Sequence, residues 1–160
     1  MPEIERALPT VNDVPPGWEQ RGKADLLDER GKQTNGGRLG LAEIHYRAAD
    51  LDGIVTFAIS SYPDSETAHT DLGQFRSSGD DLPSSQIGSA DEGTASHGCF
   101  STTLCEAIIQ LRAGAAVIHV SITTDGPTAP DPRLLNSAVR MAVERVRQTQ
   151  RGDTPTAKTA

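Results

Sequence analysis

Between Leu41 and Arg47 apolar and polar side chains alternate, with Ala42, Ile44 and Tyr46 on one side and Glu43, His45 and Arg47 on the other. Successive side chains of an extended chain point to opposite faces, so this pattern predicts a strand buried on one side. Ile54 to Tyr62 repeat it with Val55, Phe57 and Ile59, and the intervening Asp52-Gly53 step marks a turn. The two-strand signal returns over Leu104 to Arg112 and Ala115 to Thr124, around Ala113-Gly114, with Ala116, Ile118, Val120 and Ile122 sharing a side. After each hairpin the apolar period lengthens to that of a helix. Following Pro63-Asp64-Ser65-Glu66, Ala68, Leu72 and Phe75 fall on one stripe. Asp131 as N-cap and Pro132 at the first helical position start a second helix, in which Leu135, Val139, Ala142 and Val146 line one face.

The remaining segments are less regular. Residues 3–8 predict a short helix ended by Pro9, and Val14-Pro15-Pro16-Gly17-Trp18 a stiff corner that presses Trp18 onto an apolar surface. Residues 19–38 are polar apart from Leu26-Leu27 and predict a ragged strand and a mobile loop with a turn at Asn35-Gly36-Gly37. Residues 77–98 predict a long Ser-, Gly- and Asp-rich connection, with a strand near Thr94 to Phe100. The order hairpin, helix, connection, hairpin, helix implies an α+β fold, with a mainly antiparallel sheet, helices packed on one face and a possible duplicated ββα unit. One domain is expected over 1–151, with a flexible polar tail over 152–160. A groove between the sheet and two helices lying side by side is the expected ligand site.

Composition narrows the functions this fold can serve. A chain of 160 residues suits one core, and with aromatics at 4% that core rests on Ala, Val, Ile and Leu. The net charge is −7; residues 1–131 carry 9 Lys and Arg against 20 Asp and Glu, whereas residues 132–160 carry 6 against 2. Phosphate backbones demand a positive field, so nucleic acid is not an expected partner. No run approaches the ~18 apolar residues that span a bilayer, and the first 20 residues hold no apolar signal core.

Few residues offer chemistry. Cys99 and Cys105 stand five residues apart, a spacing that suits a disulfide across a hairpin end; two reduced thiols remain open, as does zinc held with His97 and His119. The disulfide is the expected state, with neither metal nor cofactor. Ser96 and His97 are neighbours on a strand and point apart, so they form no nucleophile and base pair, and no nucleophile elbow exists. Asp80-Asp81 and Asp91-Glu92 lack the rhythm of a calcium loop and read as solvated charge. The polar groups left to orient a ligand are His45 and His119, each on a strand face opposite its apolar neighbours. Arg133, Arg140 and Arg147, on the polar side of the last helix, are candidates for partner contact, although a surface helix carries such charge in any case.

Leu8-Pro9-Thr10-Val11-Asn12-Asp13-Val14-Pro15-Pro16-Gly17-Trp18 and Arg112-Ala113-Gly114-Ala115-Ala116-Val117-Ile118-His119-Val120 resemble exported actinobacterial lipoprotein and sensor-type domains. The extracellular sensor domains of actinobacterial serine/threonine kinases are similar in outline, with two disulfides where this chain has cysteines for one. The resemblance implies a non-enzymatic, extracytoplasmic domain of the cell envelope that binds a small amphiphile, a cell-wall fragment or a protein. The alternative is a cytoplasmic protein–protein interaction module using the arginine-lined helix.

Overall fold

The computed structural model describes residues 2–30, 35–76, 79–83 and 88–159. Among these residues seven strands form one antiparallel sheet: β1 Glu19–Asp28, β2 Gly40–Ala48, β3 Gly53–Ser61, β4 Asp80–Asp81, β5 Glu92–Cys99, β6 Leu104–Ala113 and β7 Ala116–Asp125. Their order across the sheet is β1-β2-β3-β7-β6-β5-β4. Among the described residues three helices complete the α+β fold: α1 Pro2–Ala7, α2 Ser65–Arg76 and α3 Asn136–Gln150, the last preceded by a 3-10 turn over Pro132–Leu135. Asp131 caps that turn by accepting from the Arg133 amide, as the Asp-Pro start predicts. The loop expected after residue 28 and the connection over 77–98 lie partly outside the described residues.

Alternation decides which face each strand buries. Ala42, Ile44 and Tyr46 of β2 meet Val55, Phe57 and Ile59 of β3, and beyond them Ile118, Val120 and Ile122 of β7 and Ala107, Ile109 and Leu111 of β6. This is the main core, closed by Ile4, Ala7 and Leu8 around α1 and by Val139, Ala142 and Val146 of α3. Trp18 is buried in it from the Pro-Pro-Gly corner, its ring centroid 6.4 Å from that of Tyr46, and its indole nitrogen donates to Asp50 Oδ1 at 2.7 Å. Tyr46 meets Phe57 edge-on and donates its hydroxyl to the Pro9 carbonyl at 2.8 Å. Gly114 takes φ +58 in the β6–β7 turn, where Ala113 pairs with Ala116, a conformation glycine adopts without a Cβ penalty.

Of the described helices, α1 and α3 cover this face, together with Leu135 of the 3-10 turn and the Trp18 corner. α2 lies across the other one, where Ala68 and Leu72 bury against Val117 and Tyr62. The expectation of helices on one face therefore holds for two of the three, and the two long helices do not lie side by side. β1-β2-β3-α2 and β5-β6-β7-α3 repeat in order, with β3 and β7 paired at the seam. A two-fold axis normal to that antiparallel seam would keep both helices on one side, so the order repeats but the packing does not. Phe75, expected on the buried stripe, is 43% exposed because only the inner part of α2 rests on the sheet.

Arg145 is the one buried side chain carrying a full positive charge among the described residues, at 4% exposure. It pairs with Asp13 at 3.1 Å and donates to the carbonyls of Ala7 and Leu8 at 3.1 and 2.9 Å, and of Ala157 at 3.3 Å. Asp13 in turn accepts from the Thr10 amide and hydroxyl. The Thr159 amide donates to the Asp13 carbonyl at 2.8 Å, and the Thr156 and Ala157 amides donate to Gln148. One guanidinium thus joins the entry corner, α3 and residues 152–159.

Candidate functional site

The face that α2 covers only in part carries the residues opposite the apolar ones: Glu43 and His45 on β2, Thr56, Ala58 and Ser60 on β3, Val117, His119 and Ser121 on β7, Ile108 and Gln110 on β6, and Ser96 on β5. A groove of about 720 Å³ runs over it beside α2. Its floor includes Ala58, Ser60, Val117, Ile108, Gln110 and His119, while Asp71 and Phe75 of α2 and Tyr62 form the wall. Glu29, Arg38, Leu41 and Glu43 close the end toward β2.

The two histidines singled out from the sequence share this face, and their surroundings differ. His119 lines the groove, and burial holds its imidazole down to about 4, so the ring is neutral at ordinary pH. Its Nδ1 lies 3.3 Å from the Gln110 amide nitrogen on the paired strand position. Gln110 is itself only 6% exposed. His45 is held on both sides: Nδ1 shares a hydrogen bond with the Thr56 hydroxyl at 2.9 Å, and Nε2 lies 3.0 Å from Glu43 Oε1. Glu43, rather than His45, lines the groove. His45 orients that carboxylate and reaches the site through it.

Thr56, His45 and Glu43 run in the order hydroxyl, imidazole, carboxylate. β3 pairs without interruption with β2 on one side and β7 on the other, so the amides around Thr56 are committed to the sheet. Acyl transfer needs free donors aimed at a developing oxyanion, and this strand offers none there. Ser96 lines the groove while His97 points to the opposite face beside Asp131, the separation that strand geometry requires.

Along the α2 wall, Asp71 accepts from the Tyr62 hydroxyl, whose ionisation burial and that carboxylate push well above the usual phenol range. Arg38 donates to Glu29 at the groove end. Sequence reading missed Glu43, Asp71, Tyr62, Arg38 and Gln110. Only Glu43 and Gln110 carried a signal, as polar positions alternating with core residues on paired strands.

Cys99 and Cys105 face each other across β5 and β6 with their sulfurs joined and their Cα atoms 3.9 Å apart. They lie on the main-core side of the sheet with His97, whereas His119 lies on the groove side, so these four side chains do not converge on a metal. No group of three or more His, Cys, Asp or Glu among the described residues is arranged to hold one. No helix among them is long and apolar enough to cross a membrane. Arg133, Arg140 and Arg147 are not brought to a common surface of free charge. Arg133 chelates Asp131, while Arg147 pairs with Asp91 and donates to the Ser89 carbonyl at 3.1 Å. Arg140 lies beside Lys158 at a separate shallow depression.

No family model and no curated protein sequence matches the chain. Among solved structures it is similar to the extracellular domain of PknH from Mycobacterium tuberculosis, with 11% identity, a TM-score of 0.43, and coverage of 82% of this chain and 85% of that one.

Proposed function

We propose that this chain is a non-enzymatic ligand-binding domain of the sensor type and that the groove between α2 and the sheet is its site. The observation that carries the reading is the pair of buried Gln110 and half-buried His119 on the groove floor, with further hydrogen-bonding capacity. Sites for small molecules are concave, 300 to 1,000 Å³ in extent, and place a few polar groups on a largely apolar floor. Ala58, Ile108 and Val117 supply that floor, and Glu43 and Asp71 supply fixed acceptors at its edge. The bridge between the only two cysteines favours display in an oxidising compartment outside the membrane. A cytoplasmic docking role for the last helix is less favoured, because Arg147 is already paired with Asp91, and Arg151 with Glu144 and Asp153.

The test is a thermal-shift screen of amphiphiles, peptides and glycans against the whole chain and a Ser60→Trp variant whose indole fills the groove. At least one compound is expected to raise the melting temperature of the parent and not of Ser60→Trp, and His119→Ala is expected to weaken it without unfolding the domain. If every compound that binds is indifferent to Ser60→Trp, the site assignment is wrong.

A further inference from the structure

Resting on the groove as the ligand site, we propose that its ligand is an N-acetylated amino sugar or a short oligomer of one, recognised through its acetamido group by Gln110 and His119. A buried amide that leaves a polar atom unmet is costly, so such an atom marks a place where a ligand supplies the partner. Gln110 donates its amide nitrogen to His119 Nδ1, and among the described residues neither Gln110 Oε1 nor His119 Nε2 has a protein partner. The neutral ring then presents Nε2–H outward as a donor beside the Oε1 acceptor. Turning the amide over exchanges the two roles and still leaves one donor beside one acceptor. The complement of such a pair is a group with one acceptor and one donor side by side, which a secondary amide provides in its C=O and N–H.

The surroundings select the rest of the ligand. Ala58, Ile108 and Val117 offer an apolar patch beside the pair, suited to an acetyl methyl. Glu43, oriented by His45, and Asp71, engaged by Tyr62, are acceptors for ring hydroxyls. An anionic ligand would meet those two carboxylates, and a simple cation would leave both the Nε2–H donor and the apolar patch unmatched. A neutral ring carrying both hydroxyls and an acetamido group uses all of these features together.

Calorimetry of the whole chain with tri-N-acetylchitotriose, cellotriose and an N-acetyl dipeptide amide tests this. The acetylated trisaccharide is expected to bind, cellotriose and the dipeptide at least tenfold more weakly. Gln110→Met and His119→Phe are each expected to lose at least tenfold in affinity. Saturation-transfer NMR on the parent needs no variant and should show its strongest signal at the acetyl methyl protons. Equal binding of cellotriose would overturn the acetamido assignment, and equal binding of the dipeptide would overturn the sugar. Failure of the acetylated sugar while another compound binds in a Ser60→Trp-sensitive manner would reject the ligand class and leave the groove standing. Absence of any Ser60→Trp-sensitive ligand would reject the groove itself.

Discussion

Desolvation of His119 on the groove floor disfavours its imidazolium, which sets a direction for the acid response of the fold. The folded ring titrates at about 4 against an ordinary 6.5, so between those values the unfolded chain binds a proton here that the folded chain does not. The contribution of this residue is complete above pH 6.5 and is lost as the pH falls toward 4, by on the order of 3 kcal/mol. In urea unfolding at pH 7 and 4.5, the parent should therefore lose about 2 to 3 kcal/mol more than His119→Gln; equal losses would show that burial does not control the ring. Arg145 is a second residue whose context sets its effect. Removing a buried charge leaves its partner uncompensated, so Arg145→Ala should cost about 3 to 5 kcal/mol by chemical denaturation. A cost below about 1 kcal/mol would mean that water replaces the guanidinium at Asp13. Neither role was legible in the sequence. Arg145 is one more arginine in a basic helix until the entry corner folds over it, and His119 differs from any strand histidine only through what covers its face.

At the scale of elements, alternation and helical period were sufficient wherever one side of a segment meets the core. β2, β3 and β7 bury the residues their patterns assign, and Leu135, Val139, Ala142 and Val146 are all buried in the core. The stripe on α2 was legible only in part. Ala68 and Leu72 are fully buried, whereas Phe75 leans over the groove, so the spacing of three apolar residues says nothing about how far the helix overlaps its support. Leu72→Ala should accordingly cost about 2 to 5 kcal/mol, and Phe75→Ala less than about 2 kcal/mol, in parallel thermal melts. The reverse order would mean that α2 is seated differently. The disulfide acts at the same scale. It ties the β5–β6 hairpin end across a short loop, so Cys99→Ser should cost about 2 to 3 kcal/mol, and unreduced peptide mapping should recover Cys99 and Cys105 as one linked species. Two alkylatable thiols in oxidised, folded protein would remove the bridge.

For the molecule as a whole, the closing of its two ends onto each other is a contact of long range. Residues 156–159 bond to Gln148, Arg145 and Asp13, and Ala157 packs beside the main core. Deleting residues 153–160 should lower the melting temperature by about 3 to 8 °C, the loss of a few hydrogen bonds and a small apolar contact in a chain of this size. An unchanged melt would mean that the tail contributes nothing to the clasp. What the amino-acid order determined by itself was local: which segments extend, which coil, where they turn and which side of each is apolar, because those depend on the backbone and on side-chain periods of two and 3.6 residues. Tertiary structure alone decided that α2 crosses to the face opposite α3, and with it everything that depends on two distant segments meeting. The groove exists because one helix covers half of a polar sheet face. Gln110 and His119 come together because β6 and β7 pair their positions on the groove floor, a neighbourhood that no spacing along the chain records.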